Sequence, residues 1–135
     1  MNRFYGSVAD VLETGSVDGE TRFRETPGWC SLKGFGLLVL LENDWGARVP
    51  LERFLALETC RDLWREAFLA LAARVFSVPR ETLGDGCAYG DPPQWDSVNH
   101  LRLVMEAEKA FGVSYPLERI PALRASDDFL VDGEV

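Results

Sequence analysis

Several residue types and patterns are scarce in this sequence, and each scarcity excludes a class of protein. The three cysteines, Cys30, Cys60 and Cys87, are odd in number, far apart and never arranged as C-x-x-C. This argues against a disulfide framework or a zinc site and fits a reducing compartment. The single histidine, His100, has no second metal ligand that the spacing identifies. Because the sequence also lacks a Gly-rich phosphate loop and a recognisable Ser–His–acid arrangement, an enzyme is the weakest interpretation.

Positive charge and long apolar runs are scarce as well. The formal net charge is −8, and both residues 1–66 (net −3) and residues 67–135 (net −5) are acidic. Nucleic acid and anionic membranes are therefore poor partners, whereas basic protein surfaces are better ones. The longest apolar run, at 37–41, is far too short to span a bilayer, and the first residues lack the apolar stretch of a signal peptide. We expect a soluble protein of the cytoplasm.

What the sequence does contain is an internal repeat. The tetrapeptide PLER occurs at 50–53 and again at 116–119, an offset of 66 residues. Identical residues recur at this offset in the pairs Trp29/Trp95, Ser31/Ser97, Leu37/Leu103, Glu42/Glu108, Gly46/Gly112 and Asp62/Asp128. Further upstream the offset falls to 64, so the second copy has two extra residues in its first loop. The repeat predicts two domains, residues 1–66 and 67–135, each of a size that can fold alone.

Both copies predict the same order of helices. An amphipathic helix precedes a long polar loop, and a Ser-headed apolar helix then ends near Gly46 or Gly112. A short helix with proline near its first turn follows, and a last helix starts near Thr59 or Ser126, both good N-cap residue types. No segment alternates with period two over a useful length. The predicted fold class is all-α, as two tandem four-helix bundles.

One long stretch joins the two copies. Residues 59–76 contain no helix breaker. We expect the last helix of the first copy to continue into the first helix of the second.

The second copy contains WDSVNHLRLVMEAEKAFGVSYPLE. This segment, with the loop before it, resembles the phosphopantetheine-attachment region of acyl carrier proteins and related carrier domains. Their signature is Asp-Ser-Leu at the start of the second helix, here Asp96-Ser97-Val98. The resemblance extends over the order of helices in the whole copy, so it implies an acyl-carrier-like bundle for residues 67–135 and a degenerate one for residues 1–66.

The resemblance also implies a function. Ser97 would take a 4′-phosphopantetheine arm from coenzyme A, and the arm's thiol would carry an acyl or aminoacyl cargo as a thioester. The implied partners are a phosphopantetheinyl transferase and the enzymes that load and unload the arm. The sequence does not identify the cargo or the pathway. The alternative from another class is a helical interaction or scaffold module that has lost arm attachment.

The chemistry of the position agrees with this expectation. Unpaired N–H groups and the helix dipole favour a phosphodiester at a helix N-terminus. We expect Asp96 to be the N-cap, and the long loop before it to leave the hydroxyl of Ser97 exposed. An isolated Asp-Ser pair would merely start a helix, and the surrounding resemblance is what favours the carrier.

The first copy departs from the signature because Cys30 stands where the family has aspartate. Ser31 is in register but lacks the acid, which makes it a doubtful second attachment site; a version with both copies loaded remains the alternative. Cys30 itself is either an activated thiol at a helix N-terminus or, more commonly, a buried structural cysteine.

Two further expectations concern the helix surfaces. Leu40 stands at the position of Glu106 within a run of apolar residues too wide for one buried stripe. We expect it to be buried beyond its own unit, against the second copy or in a homodimer through the 34–45 helix; otherwise it is a singly exposed leucine. His100 is expected on the helix surface near the arm.

Overall fold

The computed structural model describes residues 3–84 and 87–132. Over these two ranges the chain is helical and contains no β-strand, which confirms the predicted all-α class. The α-helices are α1 Arg3–Leu12, α2 Ser31–Trp45, α3 Leu51–Ala56, α4 Cys60–Phe76, α5 Ser97–Phe111 and α6 Ser126–Asp132. Three short 3₁₀ segments accompany them, at Phe23–Glu25, Arg80–Thr82 and Leu117–Ala122.

The chain divides into two compact units between Ala67 and Phe68. The division falls inside α4, which runs without interruption from Cys60 to Phe76. The continuous helix predicted for residues 59–76 is therefore confirmed.

Aromatic side chains form much of the core of the first unit. The rings of Phe4 in α1 and Trp45 in α2 meet edge to face with centroids 5.2 Å apart. The ring of Phe23 lies 5.7 Å from that of Phe54 in α3. These contacts tie the loop between α1 and α2 to the helices around it.

The core of the second unit is also aromatic. The rings of Phe68 and Phe129 lie 4.7 Å apart, and those of Phe76 and Trp95 lie 5.4 Å apart. Trp95 is completely buried and stands two residues before the first residue of α5. Its burial anchors the end of the long loop and so fixes where α5 begins.

Left-handed residues end four of the helices. Gly46 and Gly112, both at φ 66°, follow α2 and α5 and confirm the predicted C-cap glycines. Glu13 (φ 56°) and Ser77 (φ 58°) end α1 and α4 in the same way. The first helix therefore stops at Leu12.

The short helix differs between the two units. In the first unit it is the α-helix α3, and in the second it is the 3₁₀ segment Leu117–Ala122. Pro121 lies inside that segment and has no N–H to donate to a carbonyl one α-helical turn earlier. The tighter helix follows from that missing donor.

Backbone N–H groups at the starts of α4 and α6 donate to the side chains of Thr59 and Asp128. Thr59 caps α4 as predicted, since its hydroxyl accepts from the N–H of Asp62 (3.3 Å). Ser126 is instead the first helical residue of α6 and is buried. There, Asp128 accepts from the N–H groups of the two residues that precede Ser126, at 2.9 and 3.0 Å.

Candidate functional site

Ser97 is the first residue of α5 and is exposed. Within the described ranges no other residue forms a hydrogen bond with its hydroxyl. The first N–H groups of a helix have no intrahelical acceptor, and they stand at the positive end of the helix dipole. An exposed hydroxyl at this place is suited to carry a negatively charged group.

Asp96 has the predicted capping role. Its backbone is extended, and its side-chain oxygen accepts a hydrogen bond from the N–H of Asn99 at 2.9 Å. The amide of Asn99 donates in turn to the carbonyl of Gln94 (2.8 Å). Ser97 is therefore held between a capped helix and an anchored loop, which fixes the direction of its side chain.

His100 is buried, with 6% of its surface exposed, so the expectation that it lies on the helix surface is wrong. The indole N–H of Trp95 donates to Nδ1 of His100 at 3.0 Å, and Nε2 lies 3.0 Å from the carbonyl oxygen of Ile120. Because an indole nitrogen can only donate, Nδ1 is the acceptor and the proton resides on Nε2. The His100 ring therefore connects the loop, α5 and the 3₁₀ segment. One turn after Ser97, the face of α5 that carries His100 consequently points into the core.

A pocket of about 300 Å³ opens beside Ser97. Its other lining residues come from the loop, α5 and the segment before α6, and they are Tyr89, His100, Leu101, Ile120, Pro121 and Arg124. This pocket was not predicted from the sequence. The repeat could have pointed to it, because at the offset of 66 Tyr89 replaces Phe23 and Arg124 replaces Glu58. The first replacement changes the polarity of the side chain, and the second reverses its charge.

Together these residues form an exposed hydroxyl at a helix start with a pocket beside it. The hydroxyl is exposed and unpartnered, and the only histidine has both ring nitrogens engaged. A scan against protein-family models and searches of curated proteins and of solved structures found no match. Function is therefore argued from the residues themselves.

The first unit presents the same position without the cap. Ser31 begins α2 and is exposed, and Cys30 occupies the N-cap place without any side-chain capping bond. Cys30 is itself exposed, so the interpretation as a buried structural cysteine is wrong. Lys33 stands where the second unit has Asn99, and its ammonium donates to the carbonyl of Leu12 (3.1 Å). The ammonium also pairs with the carboxylate of Glu13 at 3.6 Å, so an ion pair rather than a capping carboxylate lies near this helix start.

Aromatic rings pack into the region of the first unit that corresponds to the pocket. Gly34 stands where the second unit has His100, and the ring of Trp29 approaches the point that a Cβ of Gly34 would occupy to 3.3 Å. Trp29 also packs on Phe23, with ring centroids 5.7 Å apart, and the guanidinium of Arg24 lies 4.7 Å from the centroid of Phe23. The two serines thus have different surroundings although their helices match in length.

An exposed apolar stripe continues from Ser97 along α5. Val98, Leu101 and Met105 lie on one face at helical spacing and are 67%, 52% and 65% exposed. Arg102 and Lys109 place positive charge beside this stripe, and Glu106, which pairs with Lys109 at 3.8 Å, places negative charge there. The surface next to the candidate site is therefore apolar with charge of both signs around it.

Leu40 is not among the apolar residues that α2 exposes. Leu40 is buried within the single chain, with 8% of its surface exposed, so covering it does not require a second chain. The exposed apolar residues of α2 are Leu32, Phe35 and Val39, at the positions of the stripe on α5. A homodimer through the 34–45 helix stays a prediction, and Phe35 and Val39 are the side chains of that range available to it.

The thiol of Cys60 is buried. Burial, and then the nearby carboxylates of Asp18 and Asp62, raise the pKa of the Cys60 thiol to about 12, so it remains protonated. Across the described residues there is no cluster of potential ligands that could hold a metal ion. In the same part of the chain, no helix combines the length and the apolar character needed to cross a membrane.

Proposed function

We propose that the protein is an acyl or aminoacyl carrier that holds its cargo as a thioester on a 4′-phosphopantetheine arm attached to Ser97. The observation that carries the proposal is the exposed, unpartnered hydroxyl of Ser97 at the start of α5, held by the cap of Asp96 within the Asp-Ser-Val segment. The carrier performs no chemistry on the cargo and moves it between partner enzymes.

The local physical chemistry supports attachment of a phosphodiester at this place. The helix terminus favours a negative charge, typically by 0.3–1 kcal/mol at an exposed site. Asp96 satisfies one first-turn N–H itself, and the remaining first-turn N–H groups stay open to an added phosphate. The pocket beside Ser97 offers space for part of the arm or its cargo.

Two tandem four-helix carrier-like bundles are the arrangement we propose for the chain. The bounds of α2 and α5 differ by 66 at both ends, and so do the left-handed Gly46 and Gly112. The left-handed Glu13 and Ser77 differ by 64, the offset found upstream in the sequence. These matches support a duplicated unit.

In this proposal the first unit is a degenerate copy that carries no arm. Cys30 supplies no capping bond, and the charge of Lys33 near the helix start is paired with Glu13. A carboxylate cap at this position is part of the signature that a transferase of the carrier family would meet, and Ser31 lacks it.

The partners would dock on the exposed apolar stripe of α5. A phosphopantetheinyl transferase and the cargo-handling enzymes must all reach Ser97, and Val98, Leu101 and Met105 are the apolar side chains next to it. Because Arg102 interrupts the acidic character of this surface, the partner surfaces would carry charge of both signs.

The direct test is labelling with a fluorescent coenzyme A analogue and a phosphopantetheinyl transferase of broad specificity. The parent chain should be labelled, Ser97→Ala should not be, and Ser31→Ala should be labelled like the parent. Ser31→Ala is the matched control because both serines are exposed first residues of a 15-residue helix.

A second candidate function is a helical interaction module without an arm. The observation that favours it is the equivalent apolar stripe on α2, which the first unit exposes although its attachment signature is incomplete. No labelling with several transferases, together with a partner whose binding is lost in Phe35→Glu, would favour this alternative over the carrier.

A further inference from the structure

Arg124 presents a fixed cation to the pocket beside Ser97. Its Nε donates to the carbonyl of Pro121 at 3.0 Å, and its guanidinium lies 4.9 Å from the centroid of the Tyr89 ring. These two contacts hold the plane of the group. No described residue pairs with its two terminal nitrogens, which remain free to donate.

The rest of the pocket leaves that cation uncompensated. None of the described residues that line it is acidic, although the protein as a whole has a net charge of −8. His100 offers no open ring nitrogen, since one accepts from Trp95 and the other faces the carbonyl of Ile120. The other walls are apolar and come from Leu101 and Pro121.

The first unit treats the same position in the opposite way. Glu58 stands at the position of Arg124, and its carboxylate pairs with Arg22 at 2.7 Å. The residue that corresponds to Arg22 is Ala88, so the second unit has reversed one charge of the pair and removed the other. The first unit, which lacks the attachment signature, therefore has an ion pair at this place. The second unit, which has the signature, has an arginine without an acidic partner among the described residues.

We propose that the pocket beside Ser97 is an oxyanion-binding subsite in which Arg124 holds a negatively charged oxygen group and the apolar walls hold the carbon chain next to it. The inference rests on the proposed function for the origin of that group. The group is either the phosphate of the arm itself or a carboxylate at the free end of a short acyl cargo. Both present oxygens that a guanidinium binds through two parallel hydrogen bonds.

The size of the pocket sets the size of the occupant. A volume of about 300 Å³ holds roughly ten non-hydrogen atoms at the ~30 Å³ that a water molecule takes in the liquid. This fits a dicarboxylic acyl group of about five carbons or the phosphate end of the arm.

The test uses the full-length chain without an arm and four soluble probes. These are S-glutaryl-pantetheine, its uncharged five-carbon counterpart S-valeryl-pantetheine, 4′-phosphopantetheine and pantetheine. Binding is followed by NMR through the amide shifts of Leu101 and Ile120. Within at least one pair, the charged probe should bind about tenfold more tightly, as one charge-assisted hydrogen-bonding group would give.

Variants identify the residue responsible. Arg124→Gln should remove the preference for the charged probe, and Arg124→Glu, which introduces the residue of the first unit, should reverse it. Arg119→Gln is the matched control, because Arg119 is an exposed arginine of the neighbouring 3₁₀ segment that does not line the pocket. Circular dichroism of each variant checks that it is folded.

The outcomes distinguish the two sources of the charged group, and they distinguish the subsite proposal from the carrier proposal. A preference for glutaryl over valeryl that depends on Arg124 assigns the subsite to the cargo carboxylate, whereas one for phosphopantetheine over pantetheine assigns it to the arm phosphate. Equal binding of charged and uncharged probes, or an equal loss in Arg119→Gln, overturns the inference. Transferase labelling of the same samples tests the arm separately. Labelling without a binding preference that depends on Arg124 would refute the subsite alone. A preference that depends on Arg124, without labelling, would refute the carrier function alone.

Discussion

At the scale of single residues, the cap of α5 is the feature most open to measurement. Asp96→Ala removes the acceptor for the N–H of Asn99, and we expect a loss of about 0.5–2 kcal/mol in the free energy of unfolding. Transfer of the arm to Ser97 should slow strongly as well, because the serine loses its fixed presentation. Urea unfolding and the initial rate of labelling measure the two effects.

The equivalent change in the first unit is the control. Cys30→Ala removes an N-cap side chain that makes no capping bond, so the free energy of unfolding should stay within about 0.5 kcal/mol of the parent. Equal losses in Asp96→Ala and Cys30→Ala would contradict the assignment of the cap. Unchanged arm transfer in Asp96→Ala would mean that Cys30 does not explain an unmodified Ser31.

His100 is a second residue whose substitution should change the stability of the fold. His100→Leu leaves the indole N–H of Trp95 and the carbonyl of Ile120 without their buried partner. A buried polar group left unsatisfied costs about 1–3 kcal/mol, so the variant should be destabilised by at least that amount in urea unfolding. Arg102→Ala, at an exposed site on the same helix, should change stability little.

A stable His100→Leu would mean that the two hydrogen bonds do not hold the loop on α5. The sequence did not predict the burial of His100, because helical spacing alone does not say which of several adjacent faces meets the core. Its polarity suggested solvent, whereas the partners that satisfy it lie five residues before and 20 residues after it in the chain. The cap of Asp96 was predictable because its partner is three residues away.

At the scale of helices, Asp62 at the start of α4 should make the stability of the fold depend on pH. Burial by itself would raise the pKa of Asp62, but hydrogen bonds from the N–H groups of Glu58 and Thr59 and the charge of Arg65 hold it below its ordinary value. A carboxyl group whose pKa is lower in the folded state stabilises the fold above its unfolded pKa of about 3.9. That contribution is lost as the pH falls through the lower, folded pKa.

Asp62→Asn should therefore be less stable than the parent at pH 7, and the difference should shrink as the pH falls below about 4. Urea unfolding at pH 7 and at pH 3 measures it. Asp44→Asn is the control, because Asp44 is exposed on α2 and has no partner among the described residues. A difference between parent and Asp62→Asn that is the same at both pH values would contradict the assignment.

Helix existence and helix ends were largely predictable because the rules that set them are local. Gly46 and Gly112 end α2 and α5 where the sequence placed them, and the uninterrupted α4 follows from the lack of a breaker in residues 59–76. The 3₁₀ form of Leu117–Ala122 was not predicted, although Pro121 inside it is a local signal for that change.

The pocket could not be predicted in the same way. Its walls come from three separate segments, and only the fold brings Tyr89, Leu101 and Arg124 around one space. The exposed face of α2 was misjudged for a related reason. Leu40 looked exceptional because it replaces a charge, but burial depends on the direction in which each residue points, and Phe35 is the large side chain that α2 leaves exposed.

At the scale of the whole molecule, the helices α2 and α5 of the two units match in length but differ in how they start. Both expose an apolar stripe and a serine at the head of a 15-residue helix. Within the described residues, a carboxylate cap and a pocket with an open arginine lie beside Ser97 and not beside Ser31. If the proposed function is correct, one unit of the two carries an arm.

Intact-mass spectrometry of the full chain, after incubation with coenzyme A and a phosphopantetheinyl transferase of broad specificity, tests that claim most directly. The account predicts a mass increase of one phosphopantetheine arm per chain, absent in Ser97→Ala and retained in Ser31→Ala. An increase of two arms would contradict the degenerate role of the first unit. No increase with any of several transferases would contradict the carrier function itself.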